Sequence, residues 1–287
     1  MMKRYQICFP SVLGILLLTL SSCSGMFFYP SKQLFHNPGK FKLEPETISF
    51  RSQDGTRLFG WFFKSRTKES KAVVLQFHGN GENMSSHYLS LVWLISEGYD
   101  VFTFDYREYG LSEGEADLEG AVSDSVAAIE WVSKHPSTKD KNIVLFGQSI
   151  GGALALNALE SFKGKEKIAA LVIDSSFLSF REIARHFLSS RVITWPFQPL
   201  VILLIPGKFH GLDALRNRGP IPLLVIHGTK DKIVPLRFGQ HIYQAATEPK
   251  ELWLIENGEH IDSMTRHKGF YREKLVKYLD RLFGVEK

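Results

Sequence analysis

The sequence predicts an α/β protein: a mostly parallel central sheet with helices on both faces and a short helical cap inserted in the chain. Three observations carry that expectation. Six short, nearly continuous apolar runs, at Ala72–Phe77, Val101–Phe104, Asn142–Phe146, Ile168–Ile173, Pro222–Ile226 and Glu251–Ile255, have the pattern of strands buried on both faces. Helical patterns separate them, at Ser86–Glu97, Leu118–Lys134, Ile150–Phe162, Leu236–Ala246 and Met264–Phe283, so the order is strand, helix, strand, as in right-handed parallel crossovers. The composition, 44% apolar and 13% aromatic over 287 residues, is ample for a packed core and unlike a disordered or fibrous chain.

The first residues read as an address. Lys3 and Arg4 precede the apolar stretch Ile7–Leu20, which is shorter than the roughly 20 residues a helix needs to span hydrocarbon and fits a signal peptide. Leu20-Ser21-Ser22-Cys23 resembles the lipobox of bacterial lipoproteins. That resemblance implies cleavage after residue 22, a diacylglyceryl group on Cys23, and a chain held in the cell envelope by its acyl groups with no spanning helix. Ser24 stands where an Asp would retain a lipoprotein at the inner membrane, which tips the expectation toward the outer membrane. With Cys8 removed and Cys23 blocked, the two cysteines form no disulfide. Residues 23–44, with Pro30, Pro38 and Gly39 and no clear period, read as a lipid-anchored tether, part of which can pack on the domain formed by residues 45–287.

In the domain, Thr47–Phe50 and Arg57–Phe63 flank Asp54-Gly55, a hairpin signal that predicts an antiparallel edge. The alternation lapses only between Asp174 and Ile221, where a cap is expected at about 176–219. Within it, Val192–Gly207 carries no charged residue. Such a run suits acyl chains, and with Arg181, Arg185, Arg191, Lys208, Arg216 and Arg218 around it against Glu182 and Asp213 it could face lipid. The preferred reading is a buried cap core with solvated flanks, because long apolar runs are usually inside. The formal net charge of +5 includes Lys3 and Arg4. So small an excess, without a long basic run, excludes nucleic acid as the main partner.

The chemistry is expected at the carboxyl ends of the strands. Gly147-Gln148-Ser149-Ile150-Gly151 joins a strand to a helix, the context of a nucleophile elbow, in which small neighbours let a serine stand clear of a sharp turn. A serine needs a base. Of the ten histidines, His260 follows the last strand in a loop before the final helix and is the best placed. Asp231, just past the strand Pro222–Ile226, can orient its imidazole and stabilise the imidazolium, with Asp174 as a fallback acid. The chain order is Ser149, Asp231, His260. Gly79-Asn80-Gly81 after an early strand supplies a second oxyanion donor, so the amides of Asn80 and Ile150 are expected to converge on a carbonyl oxygen. His78, Asp105 and Arg107 are expected to be structural.

Together these pieces resemble the α/β-hydrolase superfamily, and in detail its BEM46-like branch of serine hydrolases, over roughly residues 45–283. The matching segments are His78-Gly79-Asn80-Gly81-Glu82-Asn83, Asp105–Gly114, Gly147–Gly152, His227-Gly228-Thr229-Lys230-Asp231 and Gly258-Glu259-His260. Glu108 departs from the glycine usual in the second. The resemblance implies a hydrolase working through an acyl-enzyme, with no metal or organic cofactor. The substrate expected is a small-molecule or lipid ester: short acyl esters, thioesters or lysophospholipids. An aminopeptidase-like or acyl-peptide hydrolase uses the same groups, and an inactive hydrolase fold serving as an envelope binding lipoprotein is the reading from another class.

Overall fold

A twisted sheet of eight strands organises the molecule, and the loops that matter leave it at one end. The computed structural model describes residues 27–190, 193–265 and 269–285. The leader and Cys23 therefore lie outside the described residues. In chain order the elements are β1 (Tyr29–Pro30), β2 (Glu46–Arg51), β3 (Arg57–Phe63), β4 (Val73–Phe77), β5 (Gly81–Glu82), α1 (Met84–His87), β6 (Asp100–Asp105), α2 (Leu118–Lys134), β7 (Ile143–Gln148), α3 (Ile150–Ser161) and β8 (Ile168–Asp174). The chain continues through α4 (Phe180–Ser189), α5 (Leu200–Leu204), α6 (Leu212–Asn217), β9 (Leu223–Gly228), α7 (Leu236–Ala245), β10 (Lys250–Ile255) and α8 (Phe270–Leu282).

The sheet order is β10-β9-β8-β7-β4-β6-β3-β2. Pairings from β6 through β10 are parallel, and β2–β3 and β3–β6 are antiparallel. The hairpin at Asp54-Gly55 is thus the antiparallel edge that the sequence predicted. The six apolar runs are the parallel strands, each within a residue or two of its expected bounds. β4, β7 and β9 are buried along their whole length, because one apolar layer covers each face. On one side lie α2, α3 and α7 with Leu118, Ile129, Leu154, Leu159 and Ile242; on the other lie the turns after β5 and α8, with Tyr88, Leu94, Leu275 and Leu279. Strand order reverses at β4, with β6 on one side and β7 on the other, and such a switch point opens a crevice at the strands' carboxyl ends.

Two expected helices differ. Ser86–Glu97 is not one α-helix: α1 gives way to 3-10 turns at Tyr88–Ser90 and Val92–Glu97. Side chains take the carbonyls that would continue the ladder. The His87 carbonyl accepts from Gln76 Nε2 at 3.0 Å and Ser90 Oγ at 2.9 Å, and the Ser90 carbonyl from Trp93 Nε1 at 2.7 Å. The last helix starts at Phe270, not Met264, since Gly269 sits at φ 85° before it and Ser263 and Met264 are turned inward.

The segment expected as a tether folds onto the domain from Phe27 onward. β1 pairs in parallel with β5, Phe28 is buried against Tyr109, and Asn83 Nδ2 donates to the carbonyls of Ser31 and Gln33 at 2.8 and 2.7 Å.

The cap departs most from expectation. The uncharged run is expected to be buried, yet Ile193, Trp195, Phe197, Leu200, Ile202 and Leu203 are all exposed, Ile193 at 80% and Leu203 at 70%; among its described aliphatics only Val201 and Ile205 reach the core. A five-residue α5 and a three-residue 3-10 turn at Trp195–Phe197 carry most of these side chains, and of the two elements only Val201 is buried.

Candidate active site

Ser149 stands at the end of β7 with φ 54° and ψ −124°, a conformation that L-residues avoid and that elbows of this kind impose. Close packing explains the glycines around it. A Cβ on Gly147 would strike the Gly152 backbone, and one on Gly151 would strike the carbonyls of Phe77 and His78 at the end of β4. The Ser149 amide donates to the Asp174 carbonyl at 2.9 Å, which ties the elbow to β8. Ser149 itself is 8% exposed.

His260 and Asp231 are brought together directly. His260 Nδ1 lies 2.8 Å from Asp231 Oδ2, and the other carboxylate oxygen accepts the amides of Ile233 and Val234, both at 2.9 Å. The two loops are sewn to each other: Lys230 N donates to the Gly258 carbonyl at 2.8 Å, and Asn257 N to Thr229 Oγ1 at 2.9 Å. Burial works to raise the Asp231 pKa, but the hydrogen bond from His260, its charge and the Val234 amide outweigh it and hold the carboxyl below its usual value. Asp231 therefore stays ionised with one oxygen committed to the imidazole, which sets the ring's tautomer and leaves Nε2 as the free nitrogen.

Asp174 is placed differently. It ends β8, fully buried, and accepts from Ser263 Oγ at 2.7 Å and Ser175 Oγ at 3.2 Å. Burial pushes its pKa up to about 6 against the opposing hydrogen bonds and the charge of His260. Its partners locate the His260 loop: Ser263 lies in that loop, and Ile261 N donates to Ser175 Oγ at 3.2 Å. Ile261, a β-branched residue, is held at φ 48°, so the backbone beside His260 is strained. Of the three groups, the structure joins Asp231 to His260 and ties both the Ser149 backbone and the His260 loop to the Asp174–Ser175 corner. The Ser149 hydroxyl makes no hydrogen bond among the described residues, and catalytic contacts of this type often close only with substrate in place.

The Asn80 loop lies against the elbow. A Cβ on Gly79 would come within 3.9 Å of Ser149 Cβ. The amides of Asn80 and Ile150 donate to no other group among the described residues. Ile150 opens α3, where helix geometry leaves its N–H free and the dipole's positive end favours negative charge. Asn80 is fixed instead through its carbonyl, which accepts from Tyr109 Oη at 2.6 Å and from Tyr29 N at 2.9 Å. Tyr109 lies in the Asp105–Gly114 segment but its role is not legible there, and Tyr29 carries no signal in the sequence. Their partner lies 29 and 51 positions away in the chain, and no spacing rule connects them.

The remaining motif residues hold loops. His78 is wholly buried, with Nδ1 2.7 Å from the Gly79 carbonyl and Nε2 3.4 Å from Asp105. Asp105 also accepts the Met84 amide at 2.6 Å. Arg107 forms a fork with Asp124, at 3.0 and 2.8 Å, and meets Asp54 at 3.0 Å. Glu108 occupies φ 71°, which accounts for the glycine usual there; its Oε2 accepts the Ala116 amide at 2.7 Å. His87 stacks on His78 at 5.3 Å, and desolvation followed by the charge of His78 pulls its pKa down to about 4. It is neutral at pH 7.

Comparison with known proteins follows the same lines. A family model described as the alpha/beta hydrolase fold matches residues 72–199. The uncharacterized protein YfhR of Escherichia coli K12 is 36% identical over an alignment of 257 residues that covers 88% of this chain and 86% of YfhR. Protein bem46 of Schizosaccharomyces pombe is 31% identical over 208 residues, covering 71% of this chain and 67% of bem46. Among solved structures, the esterase Pf2001 of Pyrococcus furiosus is similar with a TM-score of 0.70 and 21% identity, over 90% of this chain and 98% of that one.

Proposed function

Because the chain belongs to the α/β-hydrolase family, in its BEM46-like branch, we propose that it is a serine hydrolase that cleaves carboxylic esters through Ser149, His260 and Asp231. The observation that carries the reading is the 2.8 Å contact between His260 and a buried, ionised Asp231, beside a serine held at positive φ on an elbow. A packing role explains neither the strained serine nor the committed carboxylate.

In this reading His260 Nε2 takes the Ser149 proton as Oγ attacks the ester carbonyl. The negative charge that moves onto the carbonyl oxygen is met by the free amides of Asn80 and Ile150. His260, now an imidazolium stabilised by Asp231, returns its proton to the departing alkoxide and leaves an acyl-serine. Water repeats the steps in the second half, giving the carboxylic acid and free enzyme. Each group is one of this chain's own, and the cycle balances without a cofactor.

The test is a fluorophosphonate probe followed by p-nitrophenyl esters of increasing acyl length and the matching anilides. Labelling of one site, with ester turnover well above anilide turnover, is expected. A folded chain that neither labels nor turns over any ester of the series would overturn the reading, and faster anilide cleavage would replace it with a peptidase.

We also propose that the chain is attached to the envelope through acyl groups on Cys23, on the strength of the Leu20-Ser21-Ser22-Cys23 run alone. Incorporation of labelled palmitate by cells making the protein, lost on Cys23→Ser, is the expected result; labelling that survives the substitution refutes it.

A further inference from the structure

The exposed apolar edge of the cap is covered by none of the described residues. Residues Ile193, Trp195, Phe197, Leu200, Ile202 and Leu203 present it within one short segment, each between 46% and 80% exposed. Scattered apolar residues are ordinary on a protein surface, but a contiguous group of this size marks an interaction site. Its neighbours are mostly positive. Arg181 reaches the carbonyls of Ile205 and Ile202 at 2.8 and 3.0 Å, and Arg185 and Arg237 line the adjoining groove against Glu182.

The start of the described chain points to the occupant. Phe27 packs edge-on against Phe180, the first residue of cap helix α4, with ring centroids 5.2 Å apart. Two residues later Tyr29 bonds the Asn80 carbonyl. The chain therefore arrives at the root of the cap and the lip of the Ser149 cleft together. Four residue steps separate Phe27 from Cys23, and at about 3.5 Å per residue they reach no further than about 14 Å. An acyl anchor at Cys23 would hold the bilayer surface within that distance of the cap root.

We propose that the cap edge from Ile193 to Leu203 inserts into an anionic phospholipid surface and turns the mouth of the Ser149 site toward it. The aliphatic and aromatic side chains enter the acyl boundary, and the arginines meet phosphate groups, as in interfacial amphipathic segments. The inference borrows the Cys23 reading for its orientation and does not depend on the proposed ester chemistry.

The experiment uses the chain from Ser24 onward, which holds every described residue and carries no acyl group, mixed with sedimentable vesicles of phosphatidylcholine containing one quarter phosphatidylglycerol. The wild type is expected to co-sediment, and less so with pure phosphatidylcholine. The double substitution Ile202→Asp, Leu203→Asp, at surface positions where folding tolerates charge, is expected to lower the bound fraction at least tenfold while hydrolysis of a soluble p-nitrophenyl ester stays within twofold. Val285→Asp, an exposed apolar position just after α8, serves as the control and leaves binding unchanged. A wild type that stays in the supernatant overturns the proposal, as does a double variant that binds like wild type. So does a wild-type dimer in sedimentation velocity that the double variant abolishes, since a second copy would then be what covers the edge. Vesicle binding is read without turnover, so loss of the ester reading alone would leave it standing.

Discussion

Ser149→Ala is expected to lower kcat/KM for p-nitrophenyl butyrate by roughly 10⁴- to 10⁶-fold, about 5–8 kcal/mol of transition-state stabilisation, leaving only what binding and the oxyanion amides contribute. Its stability should lie within about 0.5 kcal/mol of wild type, because alanine keeps the Cβ that makes φ 54° costly. Ser149→Gly should be equally inactive but more stable, by about 1 kcal/mol, since glycine adopts positive φ without the steric cost. Urea denaturation beside steady-state kinetics separates the two effects. A variant retaining a hundredth of the activity would remove Ser149 from its role, and a glycine variant no more stable than the alanine one would show that the elbow stores no strain.

The elbow was readable from the sequence because each part is local. Gly147, Ser149 and Gly151 are neighbours, and the need for small residues follows from a turn whose sharpness is set by strand and helix geometry. The strands were legible for a similar reason: burial on both faces writes itself into unbroken apolar runs such as Val73–Phe77. What escaped depends on partners far away in the chain. Gln76 diverts the carbonyl of His87 and shortens a helix that periodicity extends to Glu97. Tyr109 fixes Asn80 from a different loop. The cap misled for a third reason. An apolar run is read as buried because most are, yet burial requires a facing surface, and among the described residues none covers Ile202 and Leu203. Pattern alone does not distinguish an apolar core from an exposed apolar edge.

The choice between Asp231 and Asp174 as the carboxylate behind His260 gives the second large effect. Sequence order admits both, and the structure places only Asp231 against the ring. Asp231→Asn is expected to lower kcat/KM by roughly 10³- to 10⁴-fold, about 4–5 kcal/mol, because an amide can present N–H to Nδ1 and hold the imidazole in the tautomer that cannot accept the serine proton. Asp174→Asn should cost less than about tenfold, as it removes only a buried charge that interacts with His260 at a distance. The two variants should part again in stability. The Asp174 pKa is raised on folding, from 3.8 to about 6, so the native state binds its proton more tightly than the unfolded chain does. That contribution is fully present below pH 3.8 and is lost as pH rises through about 6. Asparagine is neutral throughout, so Asp174→Asn should gain on wild type by ~1–3 kcal/mol between pH 4 and pH 8. For Asp231 the sign is opposite: its pKa is lowered, its stabilising contribution is present at neutral pH, and it fades as the carboxyl takes up a proton in acid. Urea titrations of both variants at pH 3, pH 4 and pH 8 check the pair, the lower interval for Asp231 and the upper for Asp174. If Asp174→Asn instead loses activity as severely as Asp231→Asn and gains nothing in alkali, then Asp174 works ionised behind His260, and the 2.8 Å contact belongs to the loops rather than to the chemistry.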